Sequence, residues 1–180
     1  LFIYDIAFYV YPAIWAYWSE EQFGWLPIQI GYSFAAFGFC IAIAQGYLIR
    51  KIIKYVGERK TVILALYLNM VSFFVIAFVS QAWIIWLLIP IISLGVIAGP
   101  ALQGLMSQAI PDDQQGELQG LLTSIAAVGM IVSPLLMTST FGFFTAVGKY
   151  VYFPGAPYII SFGLIVICLI LFSKLNRKDS

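Results

Sequence analysis

Six apolar stretches, each close to 20 residues long, dominate this chain: about 1–18, 29–49, 61–80, 83–102, 118–140 and 156–173. A helix needs about 20 apolar residues to cross the hydrocarbon core of a bilayer. The runs are apolar all round and lack the two-residue alternation of barrel strands, which selects helices. Each is bounded by charge, by Pro or Gly, or by clustered polar residues. Only Ser80, Gln81 and Ala82 separate the third from the fourth, so these two form a tight hairpin. The predicted class is an all-α membrane protein, a bundle of six transmembrane helices. Composition agrees, because 9% of the residues are charged where a soluble domain carries about a quarter.

The chain contains no histidine, which removes Ser-His and Cys-His nucleophile pairs and His-based metal sites. No enzyme activity, no cofactor and no metal site are expected. A net charge of +1 without a long basic run removes the electrostatic footprint of nucleic-acid binding. Cys40 and Cys168 lie in apolar runs of different segments, where a thiol behaves as a small hydrophobe, and no disulfide is expected. The chain opens at Leu1, apolar from its first residue and without the charged leader of a signal peptide. It reads as a fragment whose upstream part is missing.

Eight of the nine positive charges fall on one side of the bundle: Arg50, Lys51, Lys54, Arg59 and Lys60 between spans two and three, and Lys174, Arg177 and Lys178 after span six. Lys149 alone lies opposite. The positive-inside rule then places both ends in the cytoplasm. Trp15, Trp18, Trp25, Trp83 and Trp86 all map to the predicted outer boundary, as interfacial tryptophans do. Residues 103–117 form a predicted cytoplasmic loop that carries acids but no Lys or Arg.

Asp5 is the one carboxylate inside a span. A charge at such depth costs at least about 2.5 kcal/mol on insertion scales, so Asp5 either serves a proton or cation site or reaches water near a helix end. Tyr9 and Pro12 follow it on the same helical stripe. Gln45, Asn69, Gln103, Thr123 and Ser124 are the other polar groups at depth, candidates for a substrate pathway or for bonds between helices. Small residues recur four apart at Gly38, Ala42 and Gly46, at Gly95 and Gly99, and at Gly116, Gly120 and Ser124. They form packing faces or sliding contacts. Gly99-Pro100 and Ser133-Pro134 are expected breaks, because proline removes a backbone donor. The basic segment 50–60 is expected to be a short turn around Gly57, with Arg59 and Lys60 as gating candidates. The first span is rich in aromatics, Tyr4, Phe8, Tyr9, Tyr11 and Trp15, which suits an apolar substrate although aromatics also pack.

Three stretches resemble the C-terminal half of a major facilitator superfamily transporter, most closely the tetracycline-resistance type of drug/proton antiporter. Residues 45–61, QGYLIRKIIKYVGERKT, end in Gly57-Glu58-Arg59-Lys60, similar to the glycine-and-basic loop repeated in both halves of the family. Residues 100–120, PALQGLMSQAIPDDQQGELQG, resemble the joint between the tenth and eleventh helices, and Ser133-Pro134-Leu135-Leu136 resembles the Gly-Pro-Leu-Leu of the same family.

The resemblance implies that the six spans are half of a twelve-helix fold, built as two three-helix inverted repeats. It further implies proton-coupled efflux of small amphipathic organic compounds across a bacterial inner membrane. Substrate would bind between this half and a missing N-terminal half. Two positions depart from the family pattern. Lys54 stands where the first-half version of the loop has an Asp, so that gating charge pair is not carried over. Asn69 stands at about the place of a membrane-embedded Asp, and an amide gives up no proton. A facilitator-type uptake carrier and a truncated, non-transporting membrane protein are the alternative readings.

Overall fold

The computed structural model describes residues 1–146 and 151–178, and every regular element among them is helical. Lys149, the lone outer positive charge, lies outside the described residues. Among the described residues five helical rods are long and apolar enough to cross a membrane: Pro27–Val56, Glu58–Phe78, Ala82–Gln108, Asp112–Thr145 and Ala156–Lys174.

The first apolar stretch is two helices, α1 (Phe2–Phe8) and α2 (Val10–Phe23), joined through Tyr9. Pro12 explains the joint: it offers no N–H to the Phe8 carbonyl and its ring crowds that carbonyl. End to end the pair spans about 33 Å at 1.5 Å per residue, a bilayer's thickness. α2 stops at Gly24, whose left-handed φ of 65° suits only a residue without a side chain.

The second rod consists of α3 (Pro27–Ile43), a π-helical turn (Ala44–Leu48) and α4 (Ile49–Val56). Proline is pre-shaped for the first helical position, and Gln29 Oε1 accepts the Leu26 N–H at 2.8 Å. The rod overruns the expected boundary at 49. Arg50, Lys51 and Lys54 are exposed while Ile52 and Ile53 are half-buried, so the basic segment is an amphipathic helix that prolongs the rod. Its turn is Gly57 alone, at φ 85° and ψ 156°, a region that only glycine occupies cheaply.

α5 (Glu58–Phe78) begins with Thr61 Oγ1 donating to the Gly57 carbonyl at 2.7 Å. A three-residue turn leads to α6 (Ala82–Gly95) and α7 (Ala98–Gln108), one rod with a bend between them. The expected loop 103–117 is much shorter than its sequence suggested. α7 runs to Gln108, and a 3-10 turn (Asp112–Gln114) feeds α8 (Gln115–Thr145). Gln115 closes this joint by donating to the carbonyls of Ser107 and Ile110 at 2.8 and 3.1 Å. Pro134 does not break α8, contrary to the sequence expectation at Ser133-Pro134, and the helix runs through it for 31 residues. The last helix is α9 (Ala156–Lys178).

α5 sits at the centre, packed against α6, α7 and α9, while α1 lies on α8 and α9, α2 on α8, and α3 on α6. The first span buries Tyr4, Ala7, Tyr11, Ile14 and Trp18, a stripe with the three-four spacing of a helix face. Tyr11 stacks on Phe73 of α5 at 5.2 Å between centroids, and Trp18 meets Tyr158 of α9 edge-on at 5.2 Å. Trp15, Trp18 and Trp25 are buried, so three of the five tryptophans fill the bundle interior; Trp83 and Trp86 face outward. The α3–α4 rod and α8 are the least buried of the membrane-length helices.

Candidate functional site

Asp5 is brought against α8. Gly129 permits the approach, because a Cβ there would lie 3.2 Å from the Asp5 Cβ and 3.4 Å from the Tyr9 ring. One turn further along α8, Ser133 Oγ donates to the Ile6 carbonyl at 2.8 Å. The chain thus clamps the first span beside its proline-loosened turn, where a side-chain donor has access to the backbone. Asp5 is half-buried, and its Oδ2 is buried without a hydrogen-bond partner.

An apolar cavity of about 260 Å³ lies between the first span, α3 and α6. Phe8, Tyr11, Pro12, Trp15, Phe37 and Ser33 are among its walls. Trp15 Nε1 donates to Ser33 Oγ at 2.9 Å, and Ser33 donates on to the Ile30 carbonyl at 2.7 Å. Trp15 and Ser33 are thereby bonded within the protein, the Tyr11 hydroxyl is buried without a hydrogen-bond partner, and the largely aromatic wall suits an apolar ring system. Pro12 belongs both to this wall and to the stripe of Asp5 and Tyr9.

The other predicted residues are not brought to this place. Asn69 is fully buried on α5, where its Nδ2 donates to the Gly95 carbonyl at 2.8 Å. Gln45 lies in the π-helical turn, half-buried. Gln103 and Thr123 are exposed, and Thr123 Oγ1 donates to Gln119 of its own helix. Among the described residues Gly116, Gly120 and Ser124 form no packing face against another helix: all three are exposed, and a Cβ on either glycine meets nothing within 4 Å. Gly99 does pack, against Tyr4, whose ring carbon would be 3.4 Å from an added Cβ, and Pro100 follows it in the first turn of α7. At the basic end Gly57 makes the turn and Lys60 is exposed, while Glu58 Oε1 accepts from Gln108 Nε2 at 2.8 Å and ties α5 to α7. Arg59 also points outward.

Gly129 and Ser33 escaped the sequence reading. Gly129 and Ser133 are four apart, so the small-residue spacing that drew attention to Gly116 and Gly120 marked them equally. Ser33 carries no comparable signal.

At the end of the bundle where α2 turns into α3, the Tyr152 hydroxyl donates to Glu21 Oε1 at 2.5 Å. That bond, and then burial and the carboxylate's charge, hold the phenol above its ordinary pKa. Gln22 Nε2 donates to the Val79 carbonyl at 2.9 Å and fastens the same end of α2 to the α5–α6 turn.

Residues 1–180 match the Major Facilitator Superfamily. The chain is 32% identical over 170 residues to the class E tetracycline resistance protein of Escherichia coli, covering 94% of this chain and 41% of that protein. It is 29% identical over 168 residues to the class C tetracycline resistance protein of Escherichia coli, covering 93% and 41%. Hippocampus abundant transcript-like protein 1 of Mus musculus is 29% identical over 117 residues, 65% of this chain and 23% of that protein. The chain spans about two fifths of the length of the tetracycline resistance proteins it matches. A match through every residue, carried by an all-helical bundle of membrane-length rods, places this chain in the Major Facilitator Superfamily.

Proposed function

We propose that this chain is the C-terminal six-helix half of a secondary transporter that exports small amphipathic organic compounds, tetracycline-like molecules included, in exchange for protons. The observation that carries the reading is Asp5, a carboxylate inside the bundle with a buried, unpartnered oxygen, on the same span whose Phe8, Tyr11, Pro12 and Trp15 wall an aromatic cavity. The cavity takes the apolar part of a substrate by burial. Asp5 takes the proton. Asn69 donates to Gly95 through Nδ2, leaves its Oδ1 without a partner and has no proton to give, so the coupling role falls to Asp5. The relatives named for tetracycline resistance support the drug-export class. The test uses energised vesicles containing the full-length carrier. Antiport predicts that substrate entering inside-out vesicles drives protons out of the lumen; movement of both in one direction favours the uptake carrier, and no pH change refutes coupling.

The N-terminal half is the partner. The bare small-residue faces, Gly38 with Gly46 on the α3–α4 rod and Gly116 with Gly120 on α8, have room for a close-packed helix. Gly120→Leu is therefore expected to leave membrane yield near that of the parent while removing most transport by the complete carrier. Full transport by that variant would show that this face meets lipid. Both ends of the chain lie in the cytoplasm of a bacterial inner membrane in this reading. Cysteines at Lys54 and Asp112 are expected to be labelled from the cytoplasmic side alone, and labelling from outside would reverse the orientation.

A further inference from the structure

The bend between α6 and α7 follows from a series of exchanged hydrogen bonds that begins at Pro100. Lacking an N–H, Pro100 leaves the Val96 carbonyl without the donor a helix normally supplies four residues later. The Gly99 N–H turns to Val96 instead, at 3.3 Å, closing a tighter three-residue turn. That withdraws the Gly99 N–H from its helical partner, the Gly95 carbonyl. A side chain from the neighbouring helix fills the place: Asn69 Nδ2 donates to Gly95 at 2.8 Å. Asn69 is 0% exposed, so without this bond the Gly95 carbonyl is an acceptor sealed from water with no donor.

Two glycines make room for the arrangement. A Cβ on Gly95 would stand 2.6 Å from Asn69 Oδ1, and one on Gly99 would touch the Tyr4 ring. The bend is thus where the first span, α5 and the α6–α7 rod meet. On one side of it Ile89 and Ile92 wall the aromatic cavity. On the other, Leu102, Leu105 and Met106 wall a second apolar cavity of about 560 Å³ shared with Tyr4 and Phe172.

We propose that Asn69 is a positioning residue that latches the bend in the α6–α7 rod, fixing the angle between its halves and so the walls of both cavities. Pro100 creates the need for a donor, and Asn69 meets it from another helix. The assignment does not depend on what the carrier transports. It requires that Asn69 and Pro100, 31 positions apart in sequence, be energetically coupled.

A double-mutant cycle on the full-length carrier tests this. Pro100→Ala restores an N–H at position 100, lets the Gly99 N–H return to Gly95 and makes the Asn69 amide redundant. Asn69→Ala is expected to lower the Tm in detergent by roughly 3–8 °C in the parent, and by less than half as much in the Pro100→Ala background. Spin labels at Leu87 and Gln103, both outward-facing, read the bend directly. Their distance distribution is expected to change on Asn69→Ala in the parent and not in the Pro100→Ala background. Equal Tm losses in both backgrounds, or a distribution unmoved by Asn69→Ala, would overturn the latch. If Asn69→Ala alone does not accumulate, membrane yield is compared instead: recovery on adding Pro100→Ala supports the proposal and no recovery refutes it.

Discussion

Asp5→Asn is expected to reduce proton-driven accumulation to the level of protein-free vesicles while leaving substrate binding and downhill exchange largely intact. The amide preserves the shape of the side chain and its fit against Gly129, where the Asp5 Cβ is 3.2 Å from the position a Cβ would take. What it removes is the ability to load and release a proton. Asp5→Glu keeps that ability but adds a methylene to a close contact, so partial coupling is expected. The measurement is the substrate-driven pH change in vesicles containing the full-length carrier, with substrate binding determined separately. Coupling at the parent level in Asp5→Asn would make Asp5 a solvated helix-end residue and place the coupling acid outside this half. Loss of binding together with coupling would point instead to a role in holding the substrate or the first span.

Gly155→Ala should cause the largest stability loss of any glycine-to-alanine change among the described residues. A Cβ at Gly155 would stand 2.0 Å from the Ala77 carbonyl oxygen and 2.7 Å from its carbon. Both belong to the backbone near the end of α5, so neither can rotate away. Gly155 is itself fixed, because its carbonyl accepts the N–H groups of Tyr158 and Ile159 at 3.0 and 3.3 Å as α9 begins. Relief requires α9 to shift against α5, and the expected cost is roughly 3 kcal/mol or more, seen as a Tm lowered by at least about 6 °C or as loss of membrane yield. Gly163→Ala is the control, since a Cβ there meets nothing within 4 Å. A Gly155→Ala protein with the parent Tm would mean that the α8–α9 connection does not seat against Ala77.

The length of each apolar run announced a helix but not its ends. α4 continues through Arg50, Lys51 and Lys54, because an amphipathic helix remains stable after it leaves the hydrocarbon, and hydropathy alone marks only where lipid stops. Residues 103–117 failed for the same reason: their polar composition resembled a loop, yet most of them prolong α7 and α8. Of the two proline sites, Gly99-Pro100 accompanies a bend and Ser133-Pro134 does not. Sequence cannot separate them, since the outcome turns on whether a donor such as Asn69 waits on another helix.

The candidate site was legible in part. Asp5 was conspicuous because a lone carboxylate in an apolar span has few uses, and Tyr9 and Pro12 followed from helical spacing. Gly129 was as visible by spacing as Gly120, yet Gly129 receives Asp5 and Tyr9 while a Cβ on Gly120 would meet nothing within 4 Å among the described residues.

The sequence by itself determined the class of the molecule: backbone polar groups in lipid must be satisfied within each segment, so runs of about 20 apolar residues leave helices as the solution. Only the tertiary structure decided which face of each helix is used. A helix that is apolar all round carries no inside-outside signal, because lipid, a neighbouring helix and an apolar substrate offer its side chains nearly the same environment. The distinction comes from close contact alone, such as Gly155 on Ala77, Gly95 on Asn69 and Gly129 on Asp5, and those contacts arise between residues far apart in the chain.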